Sequence, residues 1–138
     1  MRRVFSRRDG EKWDATDGFP RPVHLMIEPR TAGTEQFAMG VQEVPPGSRI
    51  GVHVHQSGEE LIFFYQGSGR MRIGDEELEV GPETAVLIPR GTPHGFVNTG
   101  GETVRLTWTF SPPGEHERFR DTERWKHLAT PGGPEAAS

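Results

Sequence analysis

Residues 47–67, Gly47 through Gly67, read GSRIGVHVHQSGEELIFFYQG, and this stretch decides the fold. Two extended pieces flank a Gln56-Ser57-Gly58 break. The first is Ile50–His55. The second is Glu60–Gln66, whose centre Leu61-Ile62-Phe63-Phe64-Tyr65 is rich in strand-forming side chains. In a strand, residues two apart share a face, so the spacing sends His53 and His55 the same way. Glu60 opens the next strand after a short connection. A strand, a turn and a second strand thus bring two imidazoles and a carboxylate to neighbouring positions.

The same rhythm extends over residues 34–112. Phe37–Val44 ends at Pro45-Pro46-Gly47, and Arg70–Ile73 and Glu77–Val80 flank a Gly74-Asp75 turn. Thr84–Ile88 runs into Pro89-Arg90-Gly91-Thr92-Pro93, and Gly95–Asn98 into Thr99-Gly100-Gly101. In Thr103–Phe110, Val104, Leu106, Trp108 and Phe110 alternate with polar partners, the period of a half-buried strand. About eight short strands at this spacing predict an all-β barrel or sandwich. The 18 Gly and 12 Pro of the 138 residues suit that class and argue against a helical bundle.

Around this barrel, residues 1–33 read as an N-terminal arm that wraps the body or pairs with a partner's edge, with one short strand at Val23–Ile27. Residues 113–138 read as a short C-terminal helix over Glu115–Leu128, then a disordered tail, Thr130–Ser138.

Composition excludes several functions. There is no Cys, hence no disulfide, thiolate metal site or Cys nucleophile. A net charge of −4 makes nucleic acid a poor partner. No run approaches a membrane span and no targeting segment is visible, so a cytoplasmic protein is expected. Phosphate-binding glycine loops, a nucleophile elbow and HExxH are all missing from the sequence.

His94 comes directly after the Pro-Arg-Gly-Thr-Pro turn and completes a set of three His and one Glu, which suits a borderline divalent ion. An isolated HxH pair is weak evidence. The run Gly47-(five)-His53-Val54-His55-(four)-Glu60-(six)-Gly67 is more specific and resembles the first motif of the cupins. Pro89-Arg90-Gly91-Thr92-Pro93-His94-Gly95-Phe96-Val97-Asn98 resembles their second. One departure is Glu83, which stands where that motif usually carries Gly. The resemblance implies a single jelly-roll barrel (a double-stranded β-helix). It also implies one divalent metal ion (Fe, Mn, Ni, Zn, Co or Cu) held by His53, His55, Glu60 and His94. Glu59 is the rival carboxylate; only Glu60 leaves six residues before Gly67.

With Glu60 inward, Ile62 and Phe64 share its face, and Phe96 shares that of His94. With Met39 and Trp108 they are the expected substrate pocket, the alternative being that they simply fill the barrel. Tyr65 and Arg72 are the named candidates for proton transfer or anion binding, among Gln42, Arg49, Arg70 and Arg105. His24 is placed at the surface or near the barrel mouth, and His116 and His127 in solvent. Phe119 and Trp125 are expected to cover the barrel or a partner. The function expected first is an Fe(II)-type dioxygenase acting on a small organic substrate, since four protein ligands leave two places on an octahedral ion. A redox-neutral cyclase, isomerase, decarboxylase or lyase, polyketide-cyclase-like, is the alternative. A non-catalytic small-molecule-binding cupin is the third. A homodimer is expected from the arm and the open sheet edges.

Overall fold

The computed structural model describes residues 2–129; the tail read as disordered lies outside them. Two antiparallel sheets face each other. The larger contains β1 (Lys12–Ala15), β2 (Val23–Ile27), β3 (Ala38–Val44), β5 (Glu59–Gln66), β8 (Thr84–Ile88), β10 (Val104–Ser111) and β11 (Trp125–Ala129), in the order β11-β1-β2-β3-β10-β5-β8. The smaller contains β4 (Arg49–His53), β6 (Gly69–Ile73), β7 (Glu76–Val80) and β9 (His94–Val97), in the order β4-β9-β6-β7. This is the expected jelly roll. The alternation read in β10 is realised: Val104, Leu106, Trp108 and Phe110 are buried, while Arg105, Thr107 and Thr109 are only partly so. Phe64 and Phe96 meet across the core with ring centroids 5.2 Å apart. Asn98 pins the rim, donating to Val44 O and Glu102 O, both at 2.9 Å. No helix among the described residues is long and apolar enough to cross a membrane.

The ends of the chain depart from the sequence reading. A six-residue 3-10 turn, Glu115–Arg120, is the only helical piece after the barrel among the described residues, and the chain then enters the strand β11. The arm supplies the reason. β1 pairs antiparallel with β11, Ala15 opposite Trp125 and Lys12 opposite Ala129, so backbone donors that a helix would satisfy internally are met by the arm. Trp13 stacks on His127 at 4.5 Å. β2 in turn pairs with β3. The arm therefore extends its own chain's sheet.

His116 was expected in solvent, yet it is buried. Its Nδ1 accepts from Gly114 N at 3.2 Å, and its Nε2 donates to Glu28 at 3.0 Å. His24, also buried, lies in β2.

Glu83 adopts φ +60°, the left-handed region that disfavours a side chain. Its N–H donates to Phe64 O at 2.7 Å, so the turn geometry is fixed by β5. Relief of that strain outweighs the entropy cost of glycine. Glu83→Gly is expected to stabilise the fold by about 0.5–1 kcal/mol. Thermal melting should show a rise of a few degrees; an unchanged or lower midpoint would contradict it.

Candidate metal centre and cavity

His53 ends β4, where the pairing with β9 is irregular between Ile50 and His53. His55 lies in the loop just beyond, so the two rings do not both sit in a regular strand as expected. They nevertheless turn to one point. His53 Nε2 lies 3.1 Å from His55 Nε2. Glu60 Oε1 lies 3.1 Å from His55 Nε2 and 3.0 Å from His94 Nε2. Glu60 is inward on β5, while Glu59 is exposed.

The far side of each ring is also held. His53 Nδ1 donates to Gly51 O at 2.7 Å, and His94 Nδ1 to Thr92 O at 2.9 Å. Those carbonyls hold a proton on Nδ1 and turn Nε2 toward the cluster. His55 Nδ1 has two neighbours, Glu115 Oε2 at 3.3 Å and Arg118 Nη1 at 3.2 Å. Glu115 also accepts from Gln56 N, Ser57 N and Ser57 Oγ, which ties the turn to the loop that carries His55.

Electrostatics prepare the same arrangement. Burial, reinforced by the His94, Arg118 and His55 charges, lowers the pKa of His53 to about 3, so its ring is neutral at pH 7. Burial pushes Glu60 up, but the His55 and His94 rings beside its carboxylate outweigh it and hold the carboxyl at about 2. Three imidazole rings and an ionised carboxylate facing one another in a buried pocket suit a cation. The donor set fits a first-row divalent ion.

These ligands open onto a cavity of 470 Å³, walled by Ile62, Phe64, Phe96, Leu106, Trp108 and Phe110 of the barrel. Gly40 lets Trp108 lie against β3: a Cβ there would fall 2.4 Å from Cζ2 of the indole. Arg118, Phe119 and Trp125 from the C-terminal segment and Arg21 from the arm complete the enclosure. Phe119 and Trp125, expected to cover the barrel or a partner rather than meet substrate, cover the barrel and also form cavity wall.

Of the expected pocket residues, Ile62, Phe64, Phe96 and Trp108 line the cavity, and Met39 does not. In β3 the inward positions are Ala38, Gly40, Gln42 and Val44, so period two turns Met39 outward. Gln42 takes the inward place, lines the cavity and donates to Arg21 O at 3.0 Å. Tyr65 and Arg72 are also misplaced by the sequence reading. Tyr65 is exposed on the outer face of β5, and Arg72 is exposed with Nε donating to Gly74 O. Among the remaining polar candidates, Arg70 pairs with Glu77 and Glu79 outside the barrel, and Arg49 lies over the Phe19 ring. Arg105 reaches toward Glu43 at 3.8 Å. Glu115 and Arg118 were missed; no local pattern links them to a His 60 residues earlier.

Glu28, His116 and Glu117 form a second cluster of metal-ligand types. Here Arg120 already supplies the positive charge, donating to Glu28, Glu11 and Glu117. This cluster joins the arm to the turn that carries Glu115 and Arg118.

Residues 40–110 match the family model described as Cupin domain. Protein SchB of Streptomyces halstedii is 32% identical over 112 residues, covering 80% of this chain and 81% of that protein. Tetracenomycin polyketide synthase protein TcmJ of Streptomyces glaucescens is 25% identical over 90 residues, covering 65% of this chain and 60% of that one. Among solved structures, a predicted oxalate decarboxylase from Thermotoga maritima superposes with a TM-score of 0.70 at 14% identity, covering 80% of this chain and all of that one. At that identity the likeness speaks for the fold alone.

Proposed function

The chain belongs to the cupin domain family, and from that premise we propose that it is a metal-dependent enzyme acting on a small aromatic molecule of polyketide type. One observation carries the reading: three imidazole nitrogens and the Glu60 carboxylate converge at the wall of a largely apolar cavity. His53, His55, Glu60 and His94 would hold the ion. It would supply Lewis acidity toward a carbonyl or enolate oxygen. The protein's own part is to orient and enclose. Phe64, Phe96, Trp108 and Phe110 offer flat apolar surface to a ring system and exclude water from it. Gly51 O, Thr92 O and Glu115 keep the imidazoles aimed.

The reaction we favour is redox-neutral, a ring closure or isomerisation of an enolisable substrate. The similarity to TcmJ, a protein named for a polyketide synthase, supports the polyketide type of the substrate. The second reading is the Fe(II) dioxygenase, favoured by a donor set of four that leaves room on the ion for two further ligands.

Metal analysis of the purified protein, with an oxygen electrode and an aromatic 1,3-dicarbonyl probe, tests this. About one equivalent of a divalent first-row ion and turnover without oxygen uptake are expected. Stoichiometric oxygen consumption by the Fe(II) protein would move the assignment to the dioxygenase. Full turnover by chelator-stripped protein would end the metal-dependent reading.

A further inference from the structure

The Arg118 guanidinium lies in the cavity wall, and no carboxylate among the described residues comes within ion-pair distance of it. Its one hydrogen-bond contact is Nη1 to His55 Nδ1, at 3.2 Å. That contact is a hydrogen bond only when the His55 proton sits on Nε2, facing Glu60. In that tautomer Nε2 has no lone pair to give a metal. When the proton sits on Nδ1, His55 donates to Glu115 and Nε2 becomes a ligand. Arg118 is then left with five donors and no acceptor among the described residues. The state that binds metal is therefore the state in which this half-buried guanidinium needs an anion.

The guanidinium is a donor, so what the cavity wall lacks is acceptor oxygen. The acidic side chains at the mouth do not fill that need. Asp17 is paired with Arg21 at 2.9 Å, and Asp121 and Glu123 are exposed. The remaining wall, with Phe110, Phe119 and Trp125, is aromatic.

We propose that Arg118 forms an anion subsite beside the metal ligands, and that the substrate is a flat aromatic molecule bearing an anionic oxygen group, carboxylate or enolate. This deepens the proposed function and rests on His53, His55, Glu60 and His94 holding a metal. Arg118 is a positioning residue for substrate here. It fixes the end of the molecule that meets the ion, and its positive charge favours the ionised form.

Calorimetric titration of the full chain, zinc-loaded and metal-free, with 2-naphthoate and neutral 2-naphthamide tests the subsite. The zinc-loaded protein is expected to bind the acid at least ~10-fold more tightly than the amide. Arg118→Met should cut that ratio by about tenfold while leaving amide affinity and zinc content unchanged. Arg118→Lys, which keeps a charge, should retain a preference of several fold. A wild-type ratio in Arg118→Met, or no preference in the Lys variant, would overturn the proposal. If the protein takes up no zinc yet shows an Arg118-dependent preference, the subsite stands and the metal assignment falls. If zinc binds stoichiometrically and the ratio ignores Arg118, the reverse holds.

Discussion

His94→Ala is expected to lower affinity for a divalent ion by at least about 100-fold, because it removes one of the four donors that the described residues bring together there. Glu60 also loses the imidazole at 3.0 Å that stabilises its buried charge. Competition against a chromogenic chelator measures the loss directly, and the purified variant should carry little metal. Glu115→Gln is the graded companion. It keeps the shape of the side chain but weakens the acceptor for His55 Nδ1, a change worth about 10- to 100-fold in metal affinity. A His94→Ala protein that still held one equivalent at parental affinity would show that the ion sits elsewhere.

Arg120→Met should destabilise the fold by roughly 3–5 kcal/mol, because it strips the counter-charge from Glu28 and Glu11 in a buried cluster. For a domain of this size that corresponds to a fall in Tm on the order of 10 °C. The pH dependence has a definite sign. Burial pushes Glu28 up, but hydrogen bonds from His116 and Arg120 outweigh it and lower its pKa from 4.5 to about 2. Its contribution is therefore full above pH 4.5 and is lost as pH falls toward 2. Urea melts at pH 7, 5 and 3 should show the parent losing stability across that window and Arg120→Met losing much less. A variant within 1 kcal/mol of the parent at pH 7 would contradict the argument, being about the size of a surface ion pair.

The barrel was legible because its signals are local. Strands of period two, turn residues at their ends and the spacing from Gly47 to Gly67 carry the information within a few residues. Glu60 could be preferred over Glu59 by counting alone. Met39 was misassigned because counting β3 requires knowing which parity faces in, and Gln42, a polar side chain, occupies that parity. Tyr65 failed for a related reason: it shares the outward parity of Glu59, Leu61 and Phe63. β11 and His116 were illegible because their partners lie in the arm, at Ala15 and Glu28, about a hundred positions away. No propensity or period records such pairing. Glu83 was visible only as a departure from a motif, and the structure gives that departure a conformation, φ +60°.

Two of the three imidazoles are oriented by peptide carbonyls, Gly51 O and Thr92 O, which no side-chain replacement can delete. The third is oriented by Glu115. Evolution, or a protein engineer, can thus retune electron donation at one side-chain address, which also anchors the loop carrying His55. Swapping residue 115 among Glu, Gln and Asp grades the basicity of one ligand while the other two stay constant. Position 115 is the adjustable screw of an otherwise fixed instrument.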